Sequence, residues 1–118
     1  MNNERIKELH DIIIRYNQFD PKSQLYKDIQ AVTGCRTSEI AGIADGHCNL
    51  ISMWAIMFAS GKTEMSYKNY YKRMIDLEYT TAEGWIKVKK EIVCRDVFGF
   101  AFNPVFYEDF EDVVNPLA

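Results

Sequence analysis

The sequence predicts an all-α, single-domain protein of six or seven helices, and three observations carry that expectation. Apolar residues recur at three- and four-residue spacing through most of the chain. Between those segments stand Gly, Pro and small polar residues with the chemistry of helix caps and stops. One segment, about residues 49–60, is apolar nearly all round, as expected of a helix at the centre of a core. The 118 residues suffice for one such core and leave no room for a separate catalytic domain.

The first helix is expected over residues 3–16, where Ile6, Leu9, Ile12, Ile13 and Tyr16 share one helical face, with Glu4, Lys7, Glu8 and Asp11 opposite. Asp20-Pro21 breaks that helix and is expected to open the second, because Pro suits a first turn. Leu25, Ile29 and Val32 form its apolar stripe, and Gly34 stops it. Thr37 is placed to cap a third helix carrying Ile40 and Ile43, which closes at Asp45-Gly46. Asn49 is expected to cap the central helix, which ends at Ser60-Gly61.

Ser66 caps a fifth helix whose Tyr67, Tyr70, Tyr71, Met74 and Ile75 face inward while Lys68, Lys72 and Arg73 face water. Thr80-Thr81-Ala82-Glu83 reads as a capping box for a sixth helix with Trp85, Val88, Ile92 and Val93 on one stripe. Residues 85–94 would also suit a half-buried strand; with no turn signal between Gly84 and Asp96, helix is the expectation. A loop at 99–102 and an Asn103-Pro104 start then lead to a last helix within an acidic C-terminal segment, 103–118.

Composition narrows the class. At 47% apolar and 26% charged the chain belongs with folded globular proteins rather than disordered ones. Its longest apolar run, residues 53–59, is far short of the roughly 20 needed to span a bilayer, and no secretory segment opens the chain. A cytoplasmic protein without membrane contact is expected. Cys35, Cys48 and Cys94 lack the spacing of a disulfide framework or zinc ribbon, and no metal or other cofactor is indicated. The net charge of -3 is unevenly spread: residues 51–90 hold seven basic and four acidic side chains, residues 91–118 one and six.

The stretch KDIQAVTGCRTSEIAGIADG, residues 27–46, holds the one motif that points to an activity. Ile29, Gly34, Cys35, Ile40 and Ile43 have the spacing of two helices crossing at a glycine turn. Over residues 27–46 it resembles the helix-turn-helix of phage Cro-type and lactose-repressor-type regulators, within a helix-turn-helix-like unit of about residues 21–46. The chain departs from that pattern at Gln30, where a small residue usually follows the first anchor, and at Gly42 inside the second helix. The resemblance implies base contacts from Arg36, Thr37, Ser38, Ala41 and Asp45, of which Arg36 is the strongest reader. Lys27, Lys62, Lys68, Lys72 and Arg73 would supply phosphate contacts if the fifth helix packs beside the motif.

Other patterns are weighed against core packing. Tyr67, Tyr70 and Tyr71 beside Lys68, Lys72 and Arg73 could stack single-stranded nucleic acid, but one helix with an aromatic inner side explains them more simply. Asp45-Gly46-His47-Cys48 has a thiol next to an imidazole, yet sequence neighbours seldom face each other, and no catalytic motif supports an enzyme. Phe106, Tyr107, Glu108, Asp109, Phe110, Glu111 and Asp112 alternate aromatic anchors with carboxylates, a pattern suited to binding a basic protein.

Two functions are therefore expected. The first is a small, dimeric, DNA-binding transcriptional regulator of phage or mobile-element type, with duplex DNA as partner. The alternative is a small acidic inhibitor or adaptor, of anti-CRISPR or anti-restriction type, that blocks a host nucleic-acid-binding complex through residues 106–112; behind both stands a third reading, an antitoxin-like partner.

Overall fold

The helix α4, Cys48–Ala59, buries nearly its whole circumference, and the rest of the molecule is arranged to make that possible. In the computed structural model, which describes residues 3–101, Leu50, Ile51, Met53, Trp54, Ala55, Ile56, Met57 and Ala59 all lie in the core. Each large side chain among them contributes about 1.5–3 kcal/mol by leaving water. Around α4 stand α1 (Asn3–Arg15), α2 (Gln24–Thr33), α3 (Thr37–Ala44), α5 (Tyr67–Asp76) and the short α6 (Lys90–Val93), which runs into a π-helical turn, Cys94–Phe98. The described residues contain no strand or sheet, and the chain is an all-α domain.

The packing follows the amphipathic stripes. Helix α1 turns Leu9 and Ile12 onto α4, and Tyr16 just beyond it joins an aromatic cluster with Trp54 and Tyr67, at ring separations of 5.0 and 5.2 Å. Helix α5 buries Tyr67, Tyr70, Tyr71 and Met74 against α4 and α2, so those rings are core and not a stacking platform. Tyr70 stacks on Phe98 of the π-helical turn at 5.4 Å. Trp54 donates its indole N–H to the Met65 carbonyl at 2.8 Å, which satisfies the polar edge of a buried ring.

Several boundaries depart from the expected ones. Pro21 does not begin α2. The Asp20 carboxylate accepts the Lys22 N–H and the Asp20 carbonyl accepts the Ser23 N–H, both at 2.9 Å, so Pro21 lies inside a turn and Ser23 takes the N-cap position. Arg36, not Thr37, stands at the N-cap of α3, and His47, not Asn49, at that of α4. Ser66 caps α5 as expected, accepting the Asn69 N–H at 3.2 Å.

The largest correction concerns residues 80–89, which are not helical. Thr81–Gly84 is a turn closed by the Gly84 N–H on the Thr81 carbonyl at 2.9 Å, and Thr80 and Ile86 form an isolated antiparallel bridge. Gly84 has φ 87°, a conformation that suits glycine and that a capping-box reading overlooks. The turn is pinned from outside: the Ala82 carbonyl accepts both the Tyr71 hydroxyl, at 2.6 Å, and a His47 ring N–H, at 2.9 Å. Those two bonds compensate the loop for the helix bonds it forgoes. Trp85, expected on the inner stripe, is 66% exposed; Val93 is buried, Val88 and Ile92 half-buried. The expected last helix, with Phe106 to Asp112, lies outside the described residues.

Candidate nucleic-acid interface

Helices α2 and α3 pack directly on one another across a three-residue turn. Thr33 at the end of α2 donates its hydroxyl to the Ile29 carbonyl at 2.7 Å and receives the Cys35 N–H at 3.2 Å, closing the exit of the helix. Gly34 comes next in the left-handed region, φ 69°, with its N–H on the Gln30 carbonyl at 2.9 Å, which reverses the chain within one residue. Glu39 then reaches back to accept the Arg36 N–H at 3.3 Å, fixing the entry to α3. Ile29 and Ile40 are fully buried, Cys35 and Ile43 half-buried, so the four apolar anchors of the motif face inward.

The opposite side of this unit is wet. Arg36, Thr37, Ser38, Ala41 and Asp45 are all exposed, as are Gln30 and Ala31, so no small residue marks a close crossing of the two helices. Gly42 is exposed too, and a Cβ there would meet no atom within 4 Å. The eight residues of α3 span about 12 Å. Its N-terminal end combines the Arg36 guanidinium with the positive end of the helix dipole, while Glu39 places a carboxylate in the first turn and Asp45 another at the C-cap.

The basic residues divide into two groups. Lys27 of α2 and Lys68 of α5 border one surface cleft, because α2 and α5 pack side by side. Lys72 is instead paired with Asp76 at 2.9 Å, one turn along its own helix, and Arg73 donates to the Asp96 carbonyl at 3.2 Å. Lys62 lies 6.0 Å from the centre of the Phe100 ring. Of the five basic residues expected to contact phosphates, Lys27 and Lys68 alone line a common cleft.

The chemistry of His47 is internal. Since the Ala82 carbonyl can only accept, Nε2 carries the proton and Nδ1 accepts the Tyr67 hydroxyl at 2.7 Å. Burial pushes its pKa down to about 4, leaving a neutral ring that is committed on both nitrogens and does not serve Cys48 as a base. Burial, and secondarily Glu91, raise the Cys94 thiol to about 11, so it stays protonated. Among the described residues no group of three His, Cys, Asp or Glu side chains could hold a metal ion.

Sequence reasoning passes over the cleft itself, whose floor is made by Tyr16, Ser23 and Asp28 from two separate elements. Asp28 is visible in the sequence as an acid within the apolar half of α2, but only tertiary structure places Tyr16 beside it. Comparison with protein-family models, curated proteins and solved structures finds no match to this chain. No helix among the described residues is long and apolar enough to cross a membrane.

Proposed function

We propose that the protein is a small DNA-binding regulator that presents the start of α3 to the major groove of duplex DNA. The observation that carries this reading is the exposed edge Arg36-Thr37-Ser38, held on a left-handed glycine turn above two buried anchors, Ile29 and Ile40. A helix enters the major groove most readily with its first residues against the base edges, where an arginine can bond bidentately to guanine. Lys27 and Lys68 supply cations beside the same unit for the phosphate backbone. Two copies would be needed for specific affinity, which makes a homodimer on a two-fold site the working form.

The test is binding to duplex taken from the region upstream of the protein's own coding sequence and to a scrambled duplex of equal length, across a range of salt. Saturable binding that prefers the upstream duplex and weakens with salt supports the reading. Absence of binding at low salt rejects it and favours the acidic-inhibitor alternative, in which Phe106, Tyr107 and Phe110 anchor and Glu108, Asp109, Glu111 and Asp112 steer a basic host protein.

A further inference from the structure

The cleft bordered by α1, α2 and α5 has the construction of an anion site. Its volume is about 560 Å³, and its lining includes four cations, Arg15, Lys22, Lys27 and Lys68. Among the described residues, none of the four is in an ion pair. The two acids in the same lining are partly engaged: Asp20 accepts the Lys22 backbone N–H, and Asp28 accepts the Gln24 side-chain amide at 2.9 Å and lies in the field of Lys68, which draws its pKa down against the effect of burial.

Two helix N-termini converge here. Ser66 opens α5 and Ser23 opens α2, and both line the cleft. Their contrast is informative. Ser66 caps its own helix, whereas Ser23 makes no capping bond, so the first-turn N–H groups of α2 receive no side-chain acceptor. The Ser23 hydroxyl is itself buried without any partner, in a residue only 6% exposed. A buried hydroxyl left unpaired costs free energy, and a helix start left uncapped does so as well. An oxyanion seated over the start of α2 would satisfy the helix start, and rotation of the Ser23 side chain would bring its hydroxyl, closed to solvent in the present rotamer, onto the same anion, with Lys22, Lys27 and Lys68 balancing its charge.

We infer that this cleft binds a phosphate group, held by the Ser23 hydroxyl, the first-turn N–H groups of α2 and the ammonium groups of Lys22, Lys27 and Lys68. The inference stands apart from the DNA reading, since the phosphate could belong to a small phosphomonoester or to a nucleic-acid backbone. Asp28, 5% exposed on the floor, opposes the anion and limits its affinity.

The experiment is a ¹⁵N–¹H NMR titration of the full chain with inorganic phosphate, exchanged against chloride at constant ionic strength. Saturable shifts of the Ser23, Gln24, Leu25 and Tyr26 amides are expected. Ser23→Ala should weaken binding about tenfold, the loss of one hydrogen bond to a charged group. Lys22→Gln should weaken it about two- to fivefold, and Asp28→Asn should tighten it. No saturable shift at these amides, or an unchanged affinity in a Ser23→Ala protein of wild-type melting temperature, overturns the site. Scrambled duplex added to the phosphate-bound protein then identifies the source. Displacement of phosphate assigns the site to a nucleic-acid backbone, and retention to a small phosphorylated ligand. Phosphate binding with no duplex-induced shift around Arg36 would reject the DNA reading while leaving the site intact.

Discussion

His47 couples a local titration to the stability of the whole domain. Its pKa falls from 6.5 when unfolded to about 4 in the folded ring, so between those values the unfolded chain holds more protons. Stability from His47 is complete above about pH 6.5 and is lost as pH falls toward 4, by up to about 3 kcal/mol. Asp28 acts in the opposite sense. Burial raises its pKa, so the folded state gains protons first and recovers some stability as pH falls through that value. Urea midpoints of wild type and His47→Gln between pH 7 and pH 4 separate the two. The wild-type midpoint should fall with pH, and the variant should lose most of that slope. An equal slope in both would mean that His47 binds its proton equally well in the folded and unfolded states, contrary to the burial account.

At the scale of elements, three glycines with different surroundings respond differently to alanine. Gly84 has φ 87°, and an added Cβ would lie 3.0 Å from the Gly46 carbonyl oxygen, so Gly84→Ala should destabilise by about 1–3 kcal/mol. Gly34 has φ 69° but open space, so Gly34→Ala should cost only the left-handed strain, about 1–2 kcal/mol. Gly42 sits inside α3 with nothing nearby, and Gly42→Ala should stabilise by about 1 kcal/mol. Thermal melts give the order directly. Such sites also separate local from distant causes of structure. Gly34 announces its turn in the sequence because helix exit is a local event, and α1, α4 and α5 are readable from their faces. The fold of residues 80–89 is not, because its turn is held by His47 and Tyr71, from 11 to 35 positions away in sequence. Pro21 misleads for a smaller reason: a proline fits a turn after Asp20 as well as it fits a helix start.

For the whole molecule, charge separates the described body from the acidic C-terminal segment. Residues 3–101 carry fourteen basic and thirteen acidic side chains, whereas residues 102–118 carry four acidic and no basic ones. A DNA-binding protein so composed repels its own partner through the acidic segment. Replacing Glu108, Asp109, Glu111 and Asp112 with their amides should therefore tighten duplex binding at low salt, with the gain shrinking as salt rises. In the inhibitor reading the same change should slow association with a basic partner, so one variant divides the two readings by sign. The candidate DNA edge is legible in the sequence because its residues are contiguous. The phosphate cleft is not, since it is assembled from the ends of three helices.

The most direct test of the DNA reading is the affinity of Arg36→Ala for upstream and scrambled duplexes at one fixed salt concentration, beside the wild type. Loss of about 1–3 kcal/mol on the upstream duplex, with little change on the scrambled one and an unaltered melting temperature, is the expected result. An unchanged preference for the upstream duplex would contradict the assignment of base reading to the start of α3.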